Sequence, residues 1–178
     1  MSKACNILFA GFGGQGILFA GKFVAYKGLL ENKQVSWLPS YGPEMRGGTA
    51  NCSVIVSDEP IGSPIVGKPD VLVAMNLPSL DKYEGETVPG GQIFVDSSLI
   101  ERKLEREDVE GYYIPATQLA SDNDLAGLAN MIIMGKLLSA IGEYTVEEIE
   151  NTLAKVIPAK KASMLDFNRK ALDLGAKE

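Results

Sequence analysis

The chain has 178 residues and a formal net charge of −6, with 46% apolar and 22% charged residues, which is typical of a soluble globular protein. Its 17 basic residues are scattered and histidine is absent. This argues against nucleic acid as the main partner, since such binding needs a clustered basic face, and against a self-contained hydrolase triad. The length suits one domain with a sizeable core, which we expect to span residues 1–178.

The N-terminal segment MSKACN leads directly into an apolar run and lacks the regions of a secretory signal. No window reaches the roughly 18 uninterrupted apolar residues that a membrane helix needs. We therefore expect a cytoplasmic protein with no membrane partner. Cys5 and Cys52 are too few and too far apart for an iron–sulfur cluster or a cysteine-based zinc site. We expect no metal site, and interpret both cysteines as small core residues on strands.

Predicted strands and helices alternate along most of the chain, and helices alone follow. The predicted strands span residues 5–10, 34–38, 49–57, 71–75, 92–95 and 111–115. The predicted helices span residues 15–31, 76–83, 125–142, 145–157 and 159–174. Pro39 is expected to end the second strand, and Thr145 with Glu148 matches the capping-box pattern T-x-x-E.

This order of elements predicts an open three-layer α/β fold. We expect a mostly parallel sheet with helices on both faces, a Rossmann-like first βαβ unit and a helical C-terminal tail. The apolar segment NMIIMGKLL allows two interpretations, a core helix or a subunit interface, because a helix that is apolar almost all round must be covered on every side.

The segment ILFAGFGGQGILFAGKFVA places G-x-G-x-x-G, with Gly11, Gly13 and Gly16, between a predicted strand and a predicted helix. Such a turn brings an anionic group close to free N–H groups and the positive helix end. A dinucleotide site also needs an acidic residue about twenty residues on, where this chain has Trp37 and Leu38. A redox dinucleotide is therefore disfavoured. A ligand phosphate, a partner's backbone and close helix packing without a ligand stay open.

A second segment, WLPSYGPEMRGGTANCSV, is rich in glycine and proline and lies between two predicted strands. Its polar and charged residues are Ser40, Tyr41, Glu44, Arg46 and Thr49. A fixed loop with such side chains fits a recognition surface better than a spacer, and Arg46 is suited to clamp a carboxylate or phosphate. The alternative is a rigid solvated turn.

Three segments together resemble the gamma subunit of 2-oxoacid:ferredoxin oxidoreductases: GFGGQGILFAGKFVA, SYGPEMRGGTANCSVIVSDEPIGSP and LANMIIMGKLL. The resemblance runs from Asn6 to about Gly175, and its two glycine-containing motifs are far more specific together than alone. The Pro-Glu-Met-Arg form most resembles the 2-oxoglutarate or broader 2-oxoacid branch. The resemblance implies oxidative decarboxylation of a 2-oxoacid to an acyl-CoA with reduction of ferredoxin.

The resemblance also implies a division of labour among subunits. Thiamine diphosphate, magnesium and iron–sulfur clusters are expected in partner alpha and beta subunits, with a delta subunit as a further candidate partner. This chain is expected to help bind CoA and pack the complex, to hold no catalytic residue and to be inactive alone. The residues implied at the ligand or partner face are Gly11, Gly13, Gly14, Gln15, Gly16, Ser40, Tyr41, Gly42, Glu44, Arg46, Asn76 and Ser97.

Several alternatives remain open at this point. The chain could be a freestanding nucleotide-binding protein, against which the missing acidic residue argues, or a purely structural subunit whose glycine turn contacts protein. For Asn76 and Ser97, the alternative is a strand-end turn residue that bonds its own backbone. The 2-oxoacid is not identified by the sequence, and the isolated chain could self-associate through a face that partners normally cover.

Overall fold

A computed structural model describes residues 4–41, 49–142 and 144–178. Within these ranges, six strands form one sheet in the order β2-β3-β1-β4-β5-β6. The strands are β1 (Ala4–Phe12), β2 (Gln34–Tyr41), β3 (Thr49–Ser57), β4 (Val71–Ala74), β5 (Gln92–Asp96) and β6 (Glu110–Ile114). The α-helices are α1 (Ile17–Leu30), α2 (Leu77–Tyr83), α3 (Ala116–Asp122), α4 (Ala129–Ile141), α5 (Val146–Val156) and α6 (Met164–Gly175).

The sheet is mixed, with its parallel part in the order β1-β4-β5-β6. β2 follows α1 and has the same direction as β1, as expected for a βαβ unit, but β3 lies between them and is antiparallel to both. Only residues 42–48 separate β2 from β3. A parallel crossover needs about a dozen residues or more, so the chain returns antiparallel here. The expectation of a mostly parallel α/β sheet is confirmed, and the first βαβ unit differs by this inserted strand.

The sheet separates two apolar layers of unequal size. On one face, strand residues such as Phe9 and Phe94 pack with α1, α3, α4, α5 and α6. On the other face, Leu8 and Leu72 pack with Leu80 of α2 and with loop side chains. Neighbouring strand residues such as Leu8 and Phe9 belong to different layers because successive side chains point to opposite faces. Helices therefore cover both faces, as predicted.

The apolar helix α4 is a core helix. Its side chains at Met131, Ile132, Ile133, Met134 and Leu137 are all at most 1% exposed. A Cβ on Gly135 of α4 would collide with the backbone of α6, and one on Gly175 of α6 would collide with α4. The two helices therefore approach at backbone distance. The chain itself buries the apolar side chains of the segment NMIIMGKLL, whereas Ile141 at the end of α4 is 40% exposed. The core interpretation is confirmed.

Several element boundaries differ from the sequence predictions. β2 continues past Pro39 to Tyr41, so the prediction that proline ends this strand is wrong. The physical reason is that β2 is an edge strand, where a missing N–H is tolerated. The helix predicted from Leu125 begins at Ala129, and the short α3 was not predicted. Within the described residues, no helix is long and apolar enough to span a membrane.

Other local predictions are confirmed. Glu148 N–H donates to Thr145 Oγ1 at 3.1 Å, and Thr145 N–H donates to Glu148 Oε2 at 2.6 Å, which completes the capping box of α5. Cys52 is buried on β3 and Cys5 is half-buried on β1. Burial raises the pKa of the Cys5 thiol to about 11, with Asp70 adding to the effect, and raises the pKa of Cys52 to about 12. Both are small residues on strands, as expected, and Cys52 belongs fully to the core.

Candidate ligand and partner site at the glycine turn

The glycine turn joins the end of β1 to the start of α1 at the carboxyl edge of the parallel strands. Gly14 has φ +98° and Gly16 has φ +75°, both in the left-handed region where glycine is favoured. Gly16 is the N-cap of α1, and no side chain in the described part of the chain caps that helix. The first N–H groups of α1 are therefore without a side-chain cap, an arrangement that favours an anionic group at this end.

Gln15 holds the turn against the sheet. Its Oε1 accepts from Phe12 N–H at 2.6 Å, and its Nε2 donates to the Met75 carbonyl oxygen at 2.8 Å. A Cβ at Gly11 would lie 2.6 Å from Gln15 Oε1, so the glycine leaves room for this side chain. Gln15 thus ties the end of β1 to the end of β4, and its amide maintains the shape of the turn.

Asn130 of α4 holds the other end of the turn. Its Nδ2 donates to the Gly16 carbonyl oxygen at 3.1 Å, and a Cβ at Gly16 would collide with the same amide. Gly16 is therefore required for its positive φ and for this close approach. The sequence prediction of the site missed Asn130. The available signal was an asparagine within the largely apolar segment LANMIIMGKLL.

Asn76 and Ser97 follow β4 and β5 at the same sheet edge. Asn76 is 3% exposed, and its Oδ1 accepts from Ser79 N–H at 2.8 Å, so it caps α2. Its Nδ2 is buried and has no hydrogen-bond partner among the described residues. Ser97 is half-buried, and its N–H donates to the Ile114 carbonyl oxygen at 2.8 Å. The Asn76 contact agrees with the alternative of a strand-end residue that bonds its own backbone. The Ser97 contact is a main-chain bond to β6 and does not test that alternative. A ligand contact for either residue stays a prediction.

Asp96, at the end of β5, is a buried carboxylate that the site prediction did not include. It is 0% exposed, and its Oδ2 accepts from Thr117 Oγ1 at 2.6 Å. Its Oδ1 accepts from Ser98 N–H at 3.1 Å. Asp96 therefore joins β5 to the start of α3, and it organises the wall of the site rather than facing a ligand.

A cavity of about 340 Å³ lies beside the turn. Gly14 and Gln15 form one side, Met75 contributes from the end of β4, and Thr117 and Ser121 contribute from α3. The helix that the sequence did not predict therefore forms a wall of the candidate site. The cavity adjoins both the bridging glutamine and the N-terminal end of α1.

The second glycine-rich segment is only partly described. Ser40 is exposed near the end of β2, and Tyr41 is the last residue of that strand. Backbone register places Tyr41 opposite Ala50, and Ala50 opposite Gly11, so this segment departs from the sheet next to the glycine turn. The three other predicted residues of this segment lie outside the described residues: Gly42, Glu44 and Arg46.

The structure also agrees with the argument against a redox dinucleotide. β2 has the sequence QVSWLPSY and carries no acidic residue. Glu31 is an exposed residue at the C-cap of α1, where it pairs with Lys27. Within the described strand Gln34–Tyr41, no carboxylate is available to bind the ribose of a dinucleotide.

The family model of pyruvate ferredoxin/flavodoxin oxidoreductase matches residues 6–178, which is nearly the whole chain. The chain belongs to this family. The match includes the glycine turn, the second glycine-rich segment and the helical tail. The resemblance inferred from the three sequence segments is therefore confirmed.

Two curated relatives and one solved structure define the similarity. The 2-oxoglutarate synthase subunit KorC of Methanocaldococcus jannaschii is 36% identical over 92% of this chain and 90% of its own length. The ketoisovalerate oxidoreductase subunit VorA of Methanothermobacter marburgensis is 36% identical over 98% of this chain and 36% of its own length. The 2-oxoglutarate:ferredoxin oxidoreductase of Magnetococcus marinus, solved with 2-oxoglutarate, coenzyme A and succinyl-CoA bound, matches 99% of this chain and 31% of its own chain at 26% identity and TM-score 0.87.

This chain covers different fractions of the full lengths of these three proteins. This chain spans most of the KorC relative, but only about a third of VorA and of the Magnetococcus marinus chain. The same domain therefore occurs both as a short chain and as part of a longer one.

Proposed function

We propose that residues 1–178 form a single gamma domain that serves as the gamma subunit of a 2-oxoacid:ferredoxin oxidoreductase. The complex converts a 2-oxoacid and CoA to an acyl-CoA and carbon dioxide, and reduces ferredoxin. The family match over residues 6–178 carries this proposal. 2-Oxoglutarate is the first candidate substrate, because the KorC relative matches over 90% of its own length whereas VorA matches over 36%.

In this proposal the partner alpha and beta subunits, with delta as a further candidate, hold thiamine diphosphate, magnesium and iron–sulfur clusters. Those groups supply the decarboxylation and the transfer of electrons to ferredoxin. This chain contributes binding and orientation. Main-chain N–H groups at the uncapped start of α1 receive an anionic group of CoA, and Arg46 provides a cation. Gln15 keeps the turn in its binding shape through its bonds to Phe12 and Met75.

A purely structural function is the second candidate. Phe12 is 36% exposed and Leu77 is 41% exposed, and both lie at the carboxyl edge of the sheet that also holds the glycine turn. Exposed apolar side chains of this kind are common at protein–protein contacts. In this alternative the turn contacts a partner subunit and no ligand.

The first experiment is 2-oxoacid-dependent reduction of a viologen dye without oxygen. The chain alone is compared with the chain co-purified with alpha and beta partners, using 2-oxoglutarate or 2-oxoisovalerate, with and without CoA. We expect CoA-dependent reduction only in the complex and faster reduction with 2-oxoglutarate. A stable complex that is inactive on every 2-oxoacid would overturn the proposed reaction, and preference for 2-oxoisovalerate would overturn the substrate assignment.

The CoA contact is tested separately with Arg46→Ala in the assembled complex. We expect the KM for CoA to rise about tenfold to a hundredfold with little change in the KM for the 2-oxoacid, because a charge-assisted contact contributes about 1.5–3 kcal/mol. Arg169→Ala is the matched control, since Arg169 lies on α6 and pairs with the exposed Glu150. An unchanged KM for CoA and unchanged assembly in Arg46→Ala would refute this assignment.

Gln15 offers a graded test of the turn. Gln15→Leu removes both amide bonds, whereas Gln15→Glu keeps an acceptor for Phe12 N–H and loses the donor to the Met75 carbonyl. We expect the KM for CoA to rise more in Gln15→Leu than in Gln15→Glu. Equal KM values in both variants and the unaltered complex would show that CoA affinity does not depend on the shape of this turn.

A further inference from the structure

The buried amide of Asn130 bonds to an oxygen that already has a partner. Asn130 is 5% exposed, and its Nδ2 donates to the Gly16 carbonyl oxygen at 3.1 Å. The same oxygen accepts from Ala20 N–H at 3.0 Å within α1. The Gly16 carbonyl is therefore paired even without Asn130, and the need to satisfy a buried acceptor does not explain why an amide lies here.

The rest of the Asn130 amide costs stability. Its Oδ1 is buried and has no hydrogen-bond partner among the described residues. The neighbouring side chains of α4 are apolar, and Met131 and Ile133 are fully buried. A buried polar atom without a partner is unfavourable, so an apolar side chain of similar size would be more stable at this position. A residue that breaks this rule in an otherwise apolar helix is expected where function depends on it.

The peptide group between Gly16 and Ile17 connects this amide to ligand binding. In a planar trans peptide, the carbonyl of one residue and the N–H of the next point in opposite directions. The Gly16 carbonyl points along α1 toward Ala20, so the Ile17 N–H points out of the start of the helix, where an anionic group would bind. Glycine permits many backbone conformations, so Gly16, at φ +75°, does not fix this peptide plane by itself.

Asn130 makes its contact from a rigid helix. It is the second residue of α4, and a Cβ on Gly175 of α6 would collide with the carbonyl of Ile132, two residues further along. α6 therefore packs directly on the backbone of α4 next to Asn130. A Cβ on Gly16 would in turn collide with the Asn130 amide. Such a close contact from a fixed helix is suited to holding the turn in one geometry.

We propose that Asn130 is a positioning residue for CoA binding. Its amide fixes the peptide plane between Gly16 and Ile17, and so directs the Ile17 N–H at an anionic group of CoA. This inference rests on the proposed function, in which the start of α1 receives that group. It adds a residue from a distant segment that acts through the turn rather than on the ligand.

The test is Asn130→Leu in the complex with alpha and beta partners, measured by 2-oxoacid-dependent reduction of a viologen dye. Leucine keeps a similar volume and removes the donor. We expect the KM for CoA to rise about threefold to tenfold, as for one lost hydrogen bond, with little change in kcat or in the KM for the 2-oxoacid. Asn130→Ala should give the same pattern, and it keeps the test valid if leucine does not fit.

Thermal unfolding of the isolated chain supplies the second measurement. We expect Asn130→Leu to unfold at the same temperature as the unaltered chain or higher, because the buried Oδ1 without a partner is removed together with the donor. A purely structural amide would give the reverse result. A lower unfolding temperature with an unchanged KM for CoA would therefore overturn the positioning role.

Asn168→Leu is the matched control. Asn168 of α6 is 3% exposed, its Nδ2 donates to the Met164 carbonyl oxygen at 2.8 Å, and its Oδ1 has no partner in the described part of the chain. It has the burial and the bonding of Asn130, but its bond lies within α6 instead of reaching the glycine turn. We expect an unchanged KM for CoA in this variant. An equal rise in Asn168→Leu and Asn130→Leu would overturn the proposal, since general loosening of the core would then explain both.

Gln15→Leu separates a failure of this inference from a failure of the proposed function. A raised KM for CoA in Gln15→Leu, with an unchanged KM in both Asn130 variants, would overturn the positioning role and leave the CoA contact at the turn in place. Unchanged KM values in all of these variants would overturn both, since CoA affinity would then not depend on the turn.

Discussion

The two faces of the sheet are stabilised in different ways. Five helices cover one face with a continuous apolar layer. The other face is covered by the short α2 and by the loop of residues 98–109. A buried carboxylate, Glu84, connects the end of α2 to this loop. Glu84 is 5% exposed, accepts from the N–H groups of Glu105 at 2.6 Å and Arg106 at 3.3 Å, and pairs with Arg102 at 2.8 Å.

This difference bears on the candidate site. Asn130, which contacts the glycine turn, belongs to the helix layer, whereas the Glu84 network lies on the opposite face. The shape of the turn should therefore depend on apolar packing and should be insensitive to the charged network. Four predictions test this comparison.

The largest effect is expected from Phe94→Ala in the helix-covered layer. Phe94 is 0% exposed and stacks on Tyr112 with ring centroids 4.5 Å apart. We expect the free energy of unfolding to fall by about 3–5 kcal/mol, through lost burial and the cavity left behind. Urea denaturation measures this change. Phe167→Ala is the control because Phe167 is 47% exposed, and an equal loss in both variants would contradict the comparison.

A smaller loss is expected from Glu84→Gln on the opposite face. The amide keeps the volume but loses the charge that faces Arg102 and two backbone N–H groups. We expect the free energy of unfolding to fall by about 1–3 kcal/mol, the usual cost of unpairing a buried polar group. Asp81→Asn is the matched control, since Asp81 also pairs with Arg102 but its side chain is 56% exposed. A raised KM for CoA in Glu84→Gln would show that the two faces are coupled.

Thr145→Ala should have a still smaller effect, because it removes one cap of α5. Glu148 N–H loses its bond to Thr145 Oγ1. We expect the free energy of unfolding to fall by about 1 kcal/mol, as for other N-cap substitutions. Thr145→Ser keeps the hydroxyl and should restore most of the stability in urea denaturation. Equal stability of the Ala and Ser variants would show that the cap contributes nothing.

The smallest effect concerns pH. The bond from Thr145 N–H lowers the pKa of the Glu148 carboxyl below its usual value. Since the folded-state pKa is the lower one, this contribution is present above the unfolded pKa and is lost as the pH falls through the folded pKa. We expect Glu148→Gln to reduce the acid sensitivity of unfolding below about pH 5, near the usual range for glutamate. Glu147→Gln on the same helix turn is the control, and identical pH profiles for both variants would contradict the prediction.

Much of the fold was predictable from local sequence. The apolar runs of β1, β4 and β5 and the caps of α2 and α5 depend on neighbouring residues, and these elements lie close to their predicted positions. The prediction that β2 ends at Pro39 was wrong. Proline is tolerated in an edge strand, and the edge position of β2 is set by the tertiary structure. The short α3 was missed because its seven residues carry little periodic signal.

The candidate site divides in the same way. The glycine turn was readable from sequence, and the structure agrees with it. Among the described residues, the second strand carries no acidic side chain, as its sequence shows. The ligand function of the predicted site residues remains a prediction, and Arg46, Glu44 and Gly42 lie outside the described residues. Asn130 was not found because it is 114 residues from its partner Gly16, so no local pattern joins them.

The sequence by itself determined the α/β class, the glycine turn and the family, because these depend on periodicity and motifs within short windows. Only the tertiary structure decided that β3 lies between β1 and β2, and that Gln15 and Asn130 hold the turn from two sides. The physical reason is that strand order and buried hydrogen bonds depend on contacts between distant segments. Such contacts form only when the whole core packs.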